Sequence, residues 1–292
     1  MDEDWSPVDL AGSRSSPGSL LDGLWTGAIP YAVFPGFLDE SECSGVVEAL
    51  KTAPITTFKS GDALVSTLGV YLPDAVTDPE AYFARATELE PAIASVLEIG
   101  RGDVRDRIRL MFESHVNRPV VAATSPEGQE YGQGCLRVHG TGAGSSVHRD
   151  VVAVDAVGWN VAEMNAQFSC VLMLQPPEAG GELVVYRQKW QPEDDAEFKN
   201  KGAMGWDPRV VEGAQVVTYA AAAGDVYVFN PTQYHKIPLT SGESDRVSMQ
   251  FFMAFDLDGD GPVVTFSLRR IGYSATADCL TAAVSTSRSP TA

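Results

Sequence analysis

Gly134-Cys-Leu-Arg-Val-His139, Phe168-Ser-Cys-Val-Leu-Met-Leu174, Asp225-Val-Tyr-Val-Phe229 and Arg246-Val-Ser-Met-Gln-Phe-Phe-Met253 are short runs rich in Val, Tyr and Phe. Glu182-Leu-Val-Val-Tyr186 and Gln215-Val-Val-Thr-Tyr219 have the same texture, and clusters of Gly and Pro separate the runs from Pro119 to Phe255. Short strands bounded by turn residues, without helices alternating between them, predict an antiparallel sandwich or barrel. Trp190 to Pro208 interrupts the series as a long, polar and acidic insertion, the kind of loop that often covers a site.

The chain in front of this region reads differently. Residues 1–24, rich in Ser, Gly, Pro and Asp, show no period and are expected to form a mobile or loosely packed leader. Asp39-Glu40-Ser41-Glu42 is an acidic helix start, followed by Val46, Val47 and Leu50 on one face. Ala63 to Leu72 reads as strand. Asp78-Pro79-Glu80 opens a second helix that runs to about Ile99, and a third is expected over Val104 to Glu113. The domain reading is therefore a largely helical part, 25–116, packed on a β core, 117–262. A C-terminal extension follows, 263–292, loose at its Ser/Thr-rich end after Ala277.

Composition narrows the class of function. The 292 residues carry a formal charge of -18, which disfavours nucleic acid or anionic lipid as a partner because both demand a basic surface. No apolar stretch reaches the roughly 20 residues of a membrane span, and the Met1-Asp-Glu-Asp start lacks the features of a secretion signal. Cys43, Cys135, Cys170 and Cys279 lie far apart and read as reduced thiols of a cytoplasmic protein. Oligomeric state is not legible.

Only four histidines exist, so their placement is informative. In His148-Arg149-Asp150 an imidazole and a carboxylate are two residues apart, and in extended backbone both point to one side. His235, after a strand and the Asn230-Pro231 turn, could add a third ligand from the facing sheet. Two His and one carboxylate leave open positions on an octahedral ion. Arg246, Ser248, Gln250 and Phe252 share one face of the next strand. A guanidinium and a hydroxyl there suit a carboxylate held end-on.

Taken together, His148-x-Asp150, the distant His235 and Arg246-x-Ser248 resemble the Fe(II)- and 2-oxoglutarate-dependent dioxygenases over roughly residues 117–256. Gly142 and Gly144 before the first motif, and the Gly180-Gly181-Glu182 turn, fit the same pattern. The run from Gly180 to Trp190 is similar to bacterial amino-acid-modifying members. The resemblance implies a mainly β protein with flanking helices, its core a double-stranded β-helix of jelly-roll, cupin-like type. It implies Fe(II) on His148, Asp150 and His235, and 2-oxoglutarate with its distal carboxylate on Arg246 and Ser248. O2 is the second cosubstrate, and a small-molecule substrate, an amino acid or natural-product intermediate, would be hydroxylated with succinate and CO2 as co-products. Desaturation or ring closure would use the same hydrogen abstraction. Halogenating relatives have a small residue where this chain has Asp150, so halogenation is disfavoured. Where the family often has a tyrosine, this chain offers Arg137 and His139, which alternate onto one face and are candidates for the cosubstrate's 1-carboxylate or the substrate.

Other readings compete. A β-barrel binding protein, or a zinc hydrolase on the same three residues, would not require the Arg246 clamp. His-Arg-Asp also occurs in kinases, but the companion motifs are missing. Gly140-Thr-Gly-Ala-Gly-Ser145 has no following Lys and reads as a turn. As metal ligands, His115 and His139 read as structural. Trp159, Trp190, Trp206 and Phe168 are candidate pocket walls, although aromatics in a β core usually just pack. The acidic run Glu193-Asp194-Asp195 reads as a solvated face, with an amine-recognising lid as its second reading.

Overall fold

The computed structural model describes residues 5–12, 17–60, 63–70, 78–201 and 205–267. The front of the chain supplies β1 (Val8–Asp9), α1 (Pro17–Thr26), β2 (Tyr31–Phe34), α2 (Glu40–Leu50), β3 (Thr56–Ser60) and β4 (Ala63–Leu68). Two longer helices follow, α3 (Pro79–Leu97) and α4 (Val104–Val116). Next come β5 (Val120–Ala122), β6 (Cys135–His139), β7 (Ser145–His148), α5 (Val152–Asp155), β8 (Ala166–Gln175), β9 (Leu183–Lys189) and α6 (Asp194–Glu197). The chain continues through β10 (Val216–Tyr219), β11 (Val226–Phe229), β12 (Gln233–Ile237), β13 (Arg246–Phe255) and β14 (Val263–Phe266).

The protein is mainly β, built on two sheets. The larger runs β1-β2-β11-β8-β13-β6-β4-β3, with β14 beside β13 and β5 beside β14; the smaller runs β10-β9-β12-β7. Alternation along the strands of the larger sheet separates two environments. Leu136, Val226, Val228, Val247, Met249, Phe251 and Met253 join the core beneath α1 to α4. The residues between them, among them Arg137, Tyr227, Phe229, Arg246 and Ser248, face a cavity toward the smaller sheet. Val171, Met173 and Tyr227 of the larger sheet form one apolar cluster with Leu183 and Val185 of the smaller.

Local chemistry explains the helices. Asp39 accepts from the Glu42 amide while the Glu42 side chain accepts from the Asp39 amide, a reciprocal cap for α2. Asp78 and Asp103 cap α3 and α4. α4 runs three residues past its expected end, to Val116, and the capping Asn117, with φ 52°, stops it in the left-handed region.

Three expectations need correction. The leader is not uniformly loose. Trp5 and Leu10 are buried, and β1 pairs in parallel with β2, because a few apolar side chains next to a sheet edge suffice to hold a segment with no period. The front part is helix-rich, but it also contributes β1 to β4, which extend the larger sheet at both ends. Residue 262 is no boundary, since Val263–Phe266 pairs with both β13 and β5. The tail after Ala277, Cys279 and the last two residues of the expected strand at 63–72 lie outside the described residues.

Candidate active site

β7 ends on His148, and β12 runs antiparallel to it with His235 directly opposite. The two imidazoles therefore come from neighbouring strands of the smaller sheet, not from facing sheets as expected. Their ring centroids are 4.1 Å apart. Beyond β7 the Asp150 amide donates to the Pro231 carbonyl at 2.9 Å, which ties the carboxylate to the start of β12. Asp150 Oδ2 stands 3.8 Å from His235 Nε2, and one ligand atom from each of the three residues falls within 4.8 Å of the others.

The histidine tautomers follow from their partners. His148 Nδ1 lies 2.9 Å from the Ser146 carbonyl, and His235 Nδ1 lies 2.9 Å from the Gln233 carbonyl. A carbonyl can only accept, so Nδ1 is the donating nitrogen of each ring and Nε2 is the one that can coordinate a cation. All three side chains are buried. A donor set of two neutral imidazoles and one carboxylate, with room for further ligands on the cavity side, fits Fe(II).

Across the cavity, β13 of the larger sheet presents Arg246 and Ser248. Arg246 is only 4% exposed, so the nature of its partners matters. Nε donates to the Gly181 carbonyl at 3.0 Å, Nη1 to Ser248 Oγ at 2.9 Å and Nη2 to the Tyr227 hydroxyl at 3.4 Å. Each acceptor is neutral, and among the described residues no carboxylate pairs with this guanidinium. A buried cation bonded only to neutral oxygens is costly to keep without an anion, so the site fits a carboxylate-bearing ligand. Burial pushes the Tyr227 hydroxyl above its ordinary range, with Arg246 pulling partly the other way. It remains protonated and able to donate to such a ligand.

The Gly180-Gly181 turn has a physical reason. Both glycines have positive φ, 73° and 76°. A Cβ on Gly180 would lie 2.0 Å from the Leu239 carbonyl oxygen, and one on Gly181 2.9 Å from Arg246 Cδ. Only glycine lets the turn approach closely enough to hold Arg246 Nε.

The remaining candidates divide. Arg137 and His139 line the same cavity from β6, opposite Ser248 and Arg246 respectively, and Arg137 Nη1 donates to Gln250 Oε1 at 2.6 Å. His115 lies on α4, with Nδ1 2.9 Å from the Met111 carbonyl, outside the cavity. Trp159, Trp190, Trp206 and Phe168 do not wall the cavity. Phe168 faces the helix-side core, Trp159 packs with Tyr82 and Phe83, and the other two lie in a separate cluster with Tyr234. Phe58, Val65 and Tyr227 do line the cavity, and sequence reasoning passed them over. The alternation in Val226-Tyr-Val-Phe229 was a usable signal for Tyr227.

Among curated proteins, the chain is 24% identical over 255 residues to L-gamma-glutamyl-L-propargylglycine hydroxylase of Streptantibioticus cattleyicolor, covering 82% of this chain and 90% of the relative. It is 27% identical over 177 residues to Leucinostatins biosynthesis cluster protein S of Purpureocillium lilacinum, covering 60% and 71% respectively. In fold it is similar to the crystal structure of an N-substituted L-amino acid dioxygenase from Burkholderia ambifaria, with a TM-score of 0.57 at 18% identity, covering 86% of this chain and 91% of that one. The family model of the carrier-protein-independent halogenase WelO5 matches residues 8–262, most of the sequence. The chain belongs to that family, and with it to the Fe(II)- and 2-oxoglutarate-dependent oxygenases.

Proposed function

We propose that the protein hydroxylates a C–H bond of a free small molecule of amino-acid type. His148, Asp150 and His235 hold Fe(II), and Arg246, Ser248 and Tyr227 receive the distal carboxylate of 2-oxoglutarate. The observation that carries this reading is the buried Arg246, without a carboxylate partner among the described residues, facing the His-Asp-His cluster across one cavity. A zinc hydrolase or a simple binding protein has no use for that cation. The two facing sheets support the double-stranded β-helix reading of the core. Buried free thiols at Cys43, Cys135 and Cys170 support a reducing, cytoplasmic setting.

Bound Fe(II) and 2-oxoglutarate, with O2, supply the oxidising power that removes hydrogen from the substrate, leaving succinate and CO2. The chain's own residues do the rest. The two Nδ1 bonds fix the imidazoles, and Asp150 supplies the one negative charge among the ligands. Arg246 and Ser248 set how deeply the cosubstrate enters. Phe58 and Val65, brought in by the β3–β4 hairpin, wall the substrate side and exclude water. Arg137 and His139 are placed to meet a second carboxylate, on the cosubstrate or the substrate. The named activities of the relatives, a hydroxylase of a glutamyl amino acid and a dioxygenase of N-substituted amino acids, support this substrate class. Asp150 occupies the position that halogenating relatives leave to a small residue, which favours hydroxylation despite the family's name.

Anaerobic addition of Fe(II) and 2-oxoglutarate should raise a weak visible charge-transfer band, lost in His148→Ala. Admitting O2 with a panel of amino-acid derivatives should release succinate and a product heavier by one oxygen. No band in the wild type would reject the cofactor assignment. A chlorinated product would reject the hydroxylase reading alone.

A further inference from the structure

The acidic insertion at 190–208 sits against the back of the metal site. None of its described residues lines the cavity. Instead it engages the side chains that alternate with the three ligands and point the other way. Arg149, between His148 and Asp150, is buried, with its guanidinium carbon 4.6 Å from the ring centroid of Trp190 and 5.2 Å from that of Trp206. It is also ion-paired with Asp155. Both indole N–H groups donate to one oxygen, Asp195 Oδ1, at 2.7 and 3.2 Å. Tyr234, fully buried beside His235, donates its hydroxyl to Asp194 Oδ2 at 3.0 Å.

Backbone contacts join the same surfaces. The Trp206 amide donates to the Val147 carbonyl at 2.8 Å and the Trp190 amide to Thr232 at 3.0 Å. Gly205, at φ 90°, comes so close to β7 that a Cβ would lie 2.4 Å from Ser146 Oγ. Both ligand-bearing strands are therefore gripped from behind by one short segment, through a stacked guanidinium and two neighbouring carboxylates.

We infer that Asp194 and Asp195 are positioning residues: through Tyr234 and the Trp190–Arg149–Trp206 stack they fix the strand ends that carry His148, Asp150 and His235. This inference rests on the metal assignment, and it makes the insertion a brace for the metal ligands, not a lid over the substrate.

The test uses the full-length protein and Co(II), whose visible bands report ligand geometry without turnover. Asp195→Ala and Arg149→Met should each weaken Co(II) binding about 10–100-fold, the usual effect of removing a group that orients a ligand, and should alter the bands. Asp195→Asn keeps an oxygen for the two indoles and should restore much of the affinity. Leu50→Ala, a core truncation in α2, should lower Tm and leave Co(II) binding unchanged. If Asp195→Ala does not fold, Tyr234→Phe carries the same expectation with a several-fold loss. Variants that melt earlier but bind Co(II) with unchanged affinity and spectrum would overturn the brace. A wild type that binds no Co(II) would overturn the metal assignment and the brace with it.

Discussion

Arg246 shows how one side chain can trade stability for binding. Its guanidinium is taken out of water, yet among the described residues it bonds only the Gly181 carbonyl and two hydroxyls. Burying a charge without a counter-charge is unfavourable, and an apolar group of similar length often does better. Arg246→Met should therefore leave Tm of the ligand-free protein unchanged or higher. It should weaken 2-oxoglutarate about 100-fold or more, because two charge-assisted hydrogen bonds, together about 3 kcal/mol, are lost. Thermal melts and cosubstrate titrations on the same preparation check both halves. A large drop in Tm with unchanged affinity would show that the arginine is structural. The sequence exposed this residue only in part. The spacing from His235 pointed to Arg246 and Ser248, because few residues can clamp a carboxylate. Tyr227 stayed hidden among nine tyrosines, since nothing local distinguishes a cavity hydroxyl from a packed one.

At the scale of elements, legibility followed how local the determining interaction is. α2 was readable because its cap closes within four residues, and α3 because Pro79 and a run of buried positions at helical spacing announce it. β1 was unreadable, since two residues carry no period, and so was the pairing of β7 with β12, since register between distant segments leaves no trace in either. Arg105 on α4 is a further case. It sits buried among apolar helix positions and bonds Asp103, Glu90 and the Gln133 carbonyl, which joins the start of α4 to α3 and to the segment leading into β6. Partial burial pushes the Asp103 carboxyl up, but hydrogen bonds from Arg105 outweigh it and hold the group below the usual carboxylate range. A carboxyl depressed by folding stabilises fully above its unfolded value, near pH 4, and loses that contribution as pH falls through the folded value. Arg105→Met should cost about 2–3 kcal/mol at neutral pH and flatten the acid limb of the stability curve. Denaturant melts from pH 7 to 3 check this, and an equally steep acid limb in the variant would reject it.

For the whole molecule, the front segment ties the two sheets and the helix layer into one body. Trp5 belongs to the cluster that holds Tyr31, Tyr227 and Phe229 of the larger sheet and Leu183 and Val185 of the smaller, and its indole donates to the Gly27 carbonyl at 2.9 Å. Leu10, five residues on, enters the helix-side core. A segment of so few residues thus closes both layers, although its composition suggested a loose leader. Trp5→Ala should cost about 3 kcal/mol or more, as buried aromatic truncations do, and lower Tm by roughly 6–12 °C for a chain of this size. Its effect on 2-oxoglutarate should be only a few-fold. Arg246 keeps its bonds to Gly181 and Ser248, and Trp5 belongs to the cluster behind the cavity wall but does not itself line the cavity. The two variants should therefore separate cleanly, Trp5→Ala losing stability with little affinity and Arg246→Met losing affinity with no stability. An unchanged Tm in Trp5→Ala would return the front segment to a loose leader. A cosubstrate loss in Trp5→Ala as large as that of Arg246→Met would mean that the cavity wall, not the guanidinium, sets binding.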